Sequence, residues 1–182
     1  MSDQYQAFAK SPIGKLVIKN LGLPSPTQLN RYESATPVVK GAVLFGAAPN
    51  STFTAEIAQV LSNIHANTYA GNNAELQQAS AKVGLNVGAF NEGDKESKFK
   101  AVVFDASGIE NSEQLHELHK FFNPVARQVA ESGRVIVIGL TPETAPTIKQ
   151  AIAQRALEGF VKSVGKEFKK GIAAQLVYVD QD

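Results

Sequence analysis

From residue 41 onward, short apolar runs alternate with longer stretches whose apolar residues recur every three or four positions. The short runs read as buried strands and the long stretches as amphipathic helices. Strands are expected at 42–45, 66–70, 85–90, 99–105, 134–139 and 173–179. Helices are expected at 52–64, 73–82, 112–131 and 147–169, with a polar loop at 91–97. The inward sets are Ile57, Val60, Leu61 and Ile64 in the first; Leu115, Leu118, Phe122, Val125 and Val129 in the third. In the fourth they are Ile148, Ile152, Leu157, Phe160, Val161 and Val164. Six strands separated by helices imply βαβ units with right-handed crossovers. The expected fold is therefore α/β, a doubly wound, mainly parallel Rossmann-like sheet with helices on both faces. Any ligand belongs at the carboxyl ends of its strands.

Residues 1–40 follow a different pattern and read as an N-terminal helical arm and linker, distinct from the sheet domain of 41–182. A short helix fits residues 4–9. Ser11-Pro12 is a helix start, a capping hydroxyl followed by a proline at the first helical position. Ile13, Leu16, Val17 and Leu21 then recur at helical spacing, and Gly22 is a plausible stop. The run Leu23-Pro24-Ser25-Pro26-Thr27 reads as an extended connector.

Composition narrows the chemistry. Lys+Arg is 18 and Asp+Glu is 17, a net charge of +1, so no strong field favours nucleic acid or an anionic membrane. Cysteine is absent, which excludes disulfides, thiolate metal sites and a Cys nucleophile. No long apolar segment suits a membrane span and the polar N-terminus is no signal peptide, so a cytoplasmic protein is expected.

The strand ends are poor in site chemistry. The turn after the first strand, Gly46-Ala47-Ala48-Pro49-Asn50-Ser51-Thr52-Phe53-Thr54, keeps one glycine of a dinucleotide fingerprint, and Pro49 removes a donor. Gly46, Ser51 and Thr52 are weak cofactor-binding candidates, joined by Asp105 and Gly108 after the fourth strand. No carboxylate follows the second strand to take ribose hydroxyls. His116 and His119, with Glu113 and Glu117, share a helix face, but such spacing is common on helix surfaces and no metal site is assigned. The lysines 162, 166, 169 and 170 suit a solvated helix end.

Phe104-Asp105-Ala106-Ser107-Gly108-Ile109 resembles the Asn-Asn-Ala-Gly-Ile segment of the short-chain dehydrogenase/reductase family. The stretches 133–139 and 155–167 resemble that family's fifth strand and the helix carrying its catalytic Tyr and Lys. On this resemblance the catalytic serine position falls on Leu140, and the Tyr and Lys positions on Gln150 and Gln154. Residues 5–24, with Leu29, Arg31 and Tyr32, resemble the start of high-molecular-weight 3-oxoacyl-acyl-carrier-protein reductases. Those pair a degenerate, flavodoxin-like first half with a working second half.

The resemblance implies a non-catalytic domain of fatty acid metabolism, with no cofactor of its own and catalysis by NADH in a C-terminal half. It also implies that reductase half as partner, with a homodimer and an acyl carrier protein or coenzyme A thioester as further partners. The alternative is an independent nucleotide- or FMN-binding flavodoxin-like module.

Overall fold

The computed structural model describes residues 4–23, 27, 29, 34, 36–71, 73–91 and 93–180. Pro24, Ser25 and Pro26 of the expected connector, and Arg31 and Tyr32, lie outside the described residues.

Two short helices open the chain, α1 (Gln4–Lys10) and α2 (Pro12–Leu21). The Ser11 side chain accepts the Gly14 N–H, and Gly22 closes α2 at φ 62°. Both ends therefore use the devices that the sequence offers. The apolar stripe turns out differently. Gly14 and Ile18 are buried, while Ile13, Leu16 and Leu21 are exposed. A Cβ on Gly14 would lie 1.8 Å from the Phe8 carbonyl oxygen, so the glycine permits the close turn between α1 and α2.

Six strands follow: β1 (Ala42–Ala47), β2 (Asn67–Ala70), β3 (Val87–Ala89), β4 (Phe99–Asp105), β5 (Val129–Leu140) and β6 (Ala173–Val179). All neighbours pair in parallel, in the order β3-β2-β1-β4-β5-β6. This is the order of the dinucleotide-binding fold. It equals the flavodoxin order with one more strand at the β3 end, and β1 and β4 flank the point where the order reverses.

Helices α3 (Thr54–Asn63) and α4 (Ala74–Lys82) pack on one face through Ile57, Ala58, Leu61 and Leu76. Helices α5 (His116–Val125) and α6 (Ile148–Glu167) pack on the other, through Leu118, Phe122, Leu157 and Val161. Alternation along β1 serves both cores: Val43 and Phe45 face α3, and Leu44 faces α5 and α6. Burying both faces is why β1 reads as an unbroken apolar run.

Three further helices depart from expectation. In α3, Val60, expected inward, is 58% exposed. The helix expected at 112–131 begins as a 3₁₀ turn (Glu113–Leu115) and ends at Val125. Pro124 cannot donate to the carbonyl one turn back, and the chain leaves the helix just beyond it. The Gln128 N–H turns back to the Val125 carbonyl. Val129 therefore starts β5, where it pairs with Phe99, and a register irregularity precedes the pairing of Arg134 with Ala101. In α6 the buried stripe is Ala153, Gln154, Leu157, Val161 and Val164. Ile148 and Ile152, expected inward, are 81% and 60% exposed, because they lie off that stripe.

Candidate functional site

The crevice between the carboxyl ends of β1 and β4 is the place to look for a ligand in this sheet order. Register sets Gly46 opposite Phe104 and Ala47 opposite Asp105. All five candidate residues, Gly46, Ser51, Thr52, Asp105 and Gly108, gather here, and each is engaged with the protein itself.

Asp105 is fully buried. Its Oδ2 accepts the Phe53 N–H at 3.1 Å and the Thr54 hydroxyl at 3.0 Å. Its Oδ1 accepts the Ser107 N–H at 3.1 Å and the Ser107 hydroxyl at 2.7 Å. Ser107 Oγ in turn accepts the Thr52 N–H at 2.8 Å. The Ser51 hydroxyl donates to the Asp105 carbonyl at 2.9 Å. Burial raises the Asp105 pKa, and the bonds from Ser107, Thr54 and Phe53 pull it back.

The two glycines have packing reasons. A Cβ on Gly46 would lie 2.2 Å from the Phe121 ring of α5. A Cβ on Gly108 would lie 2.1 Å from the Pro49 carbonyl oxygen and 2.7 Å from the Ser51 nitrogen. The β1–α3 turn and the loop after β4 are thus in direct backbone contact.

The second group, at the ends of β5 and α6, is also closed. Leu140 is buried, and its N–H donates to Gln154 Oε1 at 2.8 Å. The Gln154 amide nitrogen donates to the Ala106 carbonyl at 2.9 Å and the Ile109 carbonyl at 2.8 Å. Gln154 is wholly buried and ties β5 and α6 to the loop after β4. Gln150 is half-buried, and its N–H donates to the Thr147 hydroxyl that caps α6.

Sequence reasoning missed Tyr178. Its hydroxyl donates to the Gln154 carbonyl at 3.0 Å. The sequence signal was slight, a tyrosine near the end of the last strand. Burial, helped by nearby Glu158, pushes this phenol up from its ordinary value. A proton donor of the reductase type needs the opposite shift. His116 bonds Glu113 O and Glu117 Oε1, each at 2.8 Å. Among the described residues no three His, Asp or Glu side chains converge as metal ligands.

No protein-family model and no curated protein sequence matches the chain. Solved structures do match. BdcA in complex with NADPH superposes with a TM-score of 0.54 at 18% identity, over 79% of this chain and 71% of that one. A short-chain dehydrogenase/reductase from Serratia marcescens superposes at 0.53 and 17% identity, over 79% and 75%. The chain has the Rossmann-like fold of the short-chain dehydrogenase/reductases. At such identities the likeness concerns the fold alone.

A short-chain dehydrogenase/reductase-like fold implies a nicotinamide dinucleotide at the β1–α3 turn, and the residues present do not fit it. The turn's N–H groups at Thr52 and Phe53 are taken by Ser107 and Asp105. A buried carboxylate stands beside them, and no Lys or Arg occurs between Gly46 and Thr54. Among the described residues, no helix is long and apolar enough to cross a membrane.

Proposed function

We propose that this chain is a degenerate, non-catalytic reductase-like domain of fatty acid metabolism. Its role is structural or docking, toward an NADH-dependent 3-oxoacyl-acyl-carrier-protein reductase half. One observation carries the reading. On the family resemblance Gln154 occupies the catalytic lysine position, and its amide is spent on backbone groups of Leu140, Ala106 and Ile109. The same resemblance puts the apolar, buried Leu140 at the serine position. Reduction in that family needs a phenol whose proton is loosened by an ammonium group. A leucine and two glutamines supply neither.

The partner reading draws support from an apolar groove of about 780 Å³ on the α3 side of the sheet, lined by Val60, Ile136 and Val177 among others. A homodimer and an acyl carrier protein or coenzyme A thioester are further partners on this reading, and the cytoplasm is its compartment. An independent nucleotide- or FMN-binding module is the alternative. The NADPH bound to a structural neighbour speaks for it. The engaged turn speaks against it.

The test is NADH oxidation by the purified chain with acetoacetyl-coenzyme A. No turnover above background is expected. Adding a reductase half with an intact glycine fingerprint and Tyr-x-x-x-Lys should restore turnover and co-elute with the chain. Turnover by the chain alone would refute the non-catalytic assignment, and separate elution would refute the docking role.

A further inference from the structure

We infer that Asp105 is a built-in anion that closes the phosphate-binding turn of this fold. The β1–α3 turn thereby holds the protein's own carboxylate in place of a dinucleotide's pyrophosphate.

Asp105 is the last residue of β4, and β4 flanks the crevice where the strand order reverses. That crevice receives the pyrophosphate in dinucleotide-binding sheets, at the start of the first helix. Any anion there must be met by the N–H and O–H groups of the turn. Phe53 N–H and Thr54 O–H already bond one Asp105 oxygen. Thr52 N–H reaches the carboxylate through Ser107. With the Ser107 N–H and hydroxyl on the other oxygen, one carboxylate receives four donors, close to what its two oxygens can accept.

Shape and charge act the same way. The loop after β4 meets the turn backbone to backbone at Gly108, and Phe121 covers Gly46 from the α5 side. Glu56 adds a second carboxylate in the first turn of α3. A phosphate entering the turn would have to displace a buried, fully bonded anion and then sit beside it. Repulsion between like charges in a partly desolvated site is strong enough to suppress binding by far more than tenfold.

This inference does not rest on the proposed partner role. Bound dinucleotide without turnover would overturn it and leave that role standing.

The test is titration of the ¹⁵N-labelled chain with inorganic pyrophosphate and, separately, with NADPH. The amide signals of Thr52, Phe53 and Thr54 are expected to stay in place up to millimolar ligand. Saturable shifts at those amides overturn the inference. In Asp105→Asn the charge is lost, and saturable pyrophosphate shifts at the same amides are expected. A folded Asp105→Asn chain that gains no such binding overturns the role of the carboxylate. Ser107→Ala, which keeps the charge, is expected to remain closed, and binding in that variant also counts against it. If Asp105→Asn fails to fold, the unaltered chain and Ser107→Ala still decide the matter.

Discussion

Two buried polar side chains, Asp105 and Gln154, organise the carboxyl ends of the strands. Each satisfies several backbone groups from separate loops, so each removal leaves buried donors or acceptors unpaired. Gln154→Leu strips partners from the Leu140 N–H and from the carbonyls of Ala106 and Ile109. We expect a loss of about 2–4 kcal/mol in urea unfolding. A loss under about 0.5 kcal/mol would mean that the clamp carries no stability. Asp105 makes a pH prediction whose sign is unusual for a carboxylate. Burial raises its folded-state pKa above the ordinary 3.8. Just above that pH, the folded chain holds the proton that the unfolded chain has released. This group therefore makes stability fall as pH rises from about 3.8 through the folded value, and adds no further change beyond it. In melting curves across that window, the wild type should lose ground to Asp105→Asn as pH rises. A gap moving the other way would show the carboxylate to be stabilised in its charged form.

At the scale of elements, close approach decides what the glycines do. Gly108 admits the backbone of the β1–α3 turn, and a methyl there would collide with Pro49 O and Ser51 N. Gly108→Ala should cost about 3 kcal/mol, because two loop backbones must move apart. The atoms nearest a Cβ on Gly46 all belong to the Phe121 ring, a half-buried side chain rather than backbone, so Gly46→Ala should cost less. Equal losses for the two would contradict this ranking. The six strands and their parallel sense were legible in the sequence, because stretches such as 101–104 and 135–138 are apolar throughout and separated by helical periods. The caps Ser11, Gly22 and Thr147 are local chemistry; the first two were legible for that reason. The end of α5 was not legible, since apolar spacing continues to Val129 while Pro124 interrupts the donor ladder. Helix phase at the start of α6 was also invisible, for Ile148 and Ile152 fit a helical repeat that the sheet does not use. The candidate site was legible as a place, not as a network. Asp105 lies 54 residues beyond Ser51 in sequence, and only the fold shows that it bonds and packs against the turn of Gly46 and Ser51.

Across the whole molecule the two faces of the sheet are unequally covered. On one face, α5 and α6 close over a core from Leu44 to Val164. On the other, α3 and α4 seal a core built on β1, β2 and β4, and Ile136 and Ile138 of β5 only adjoin it. Val177 of β6 is 45% exposed and Val60 of α3 is 58% exposed, across the groove of about 780 Å³. Parallel sheets ordinarily bury both faces, and β6 also offers an edge. On the proposed function, this is where the reductase half would dock. A double change, Val60→Lys with Val177→Lys, should leave folding within about 0.5 kcal/mol, because both side chains already meet solvent. Two buried ammonium groups in a complex would be costly, so affinity for the reductase half should fall at least about tenfold. Calorimetric titration of that half against both chains measures the difference. Unchanged affinity with intact folding would move the docking surface elsewhere, with the exposed Ile13, Leu16 and Leu21 of α2 the next apolar surface to alter.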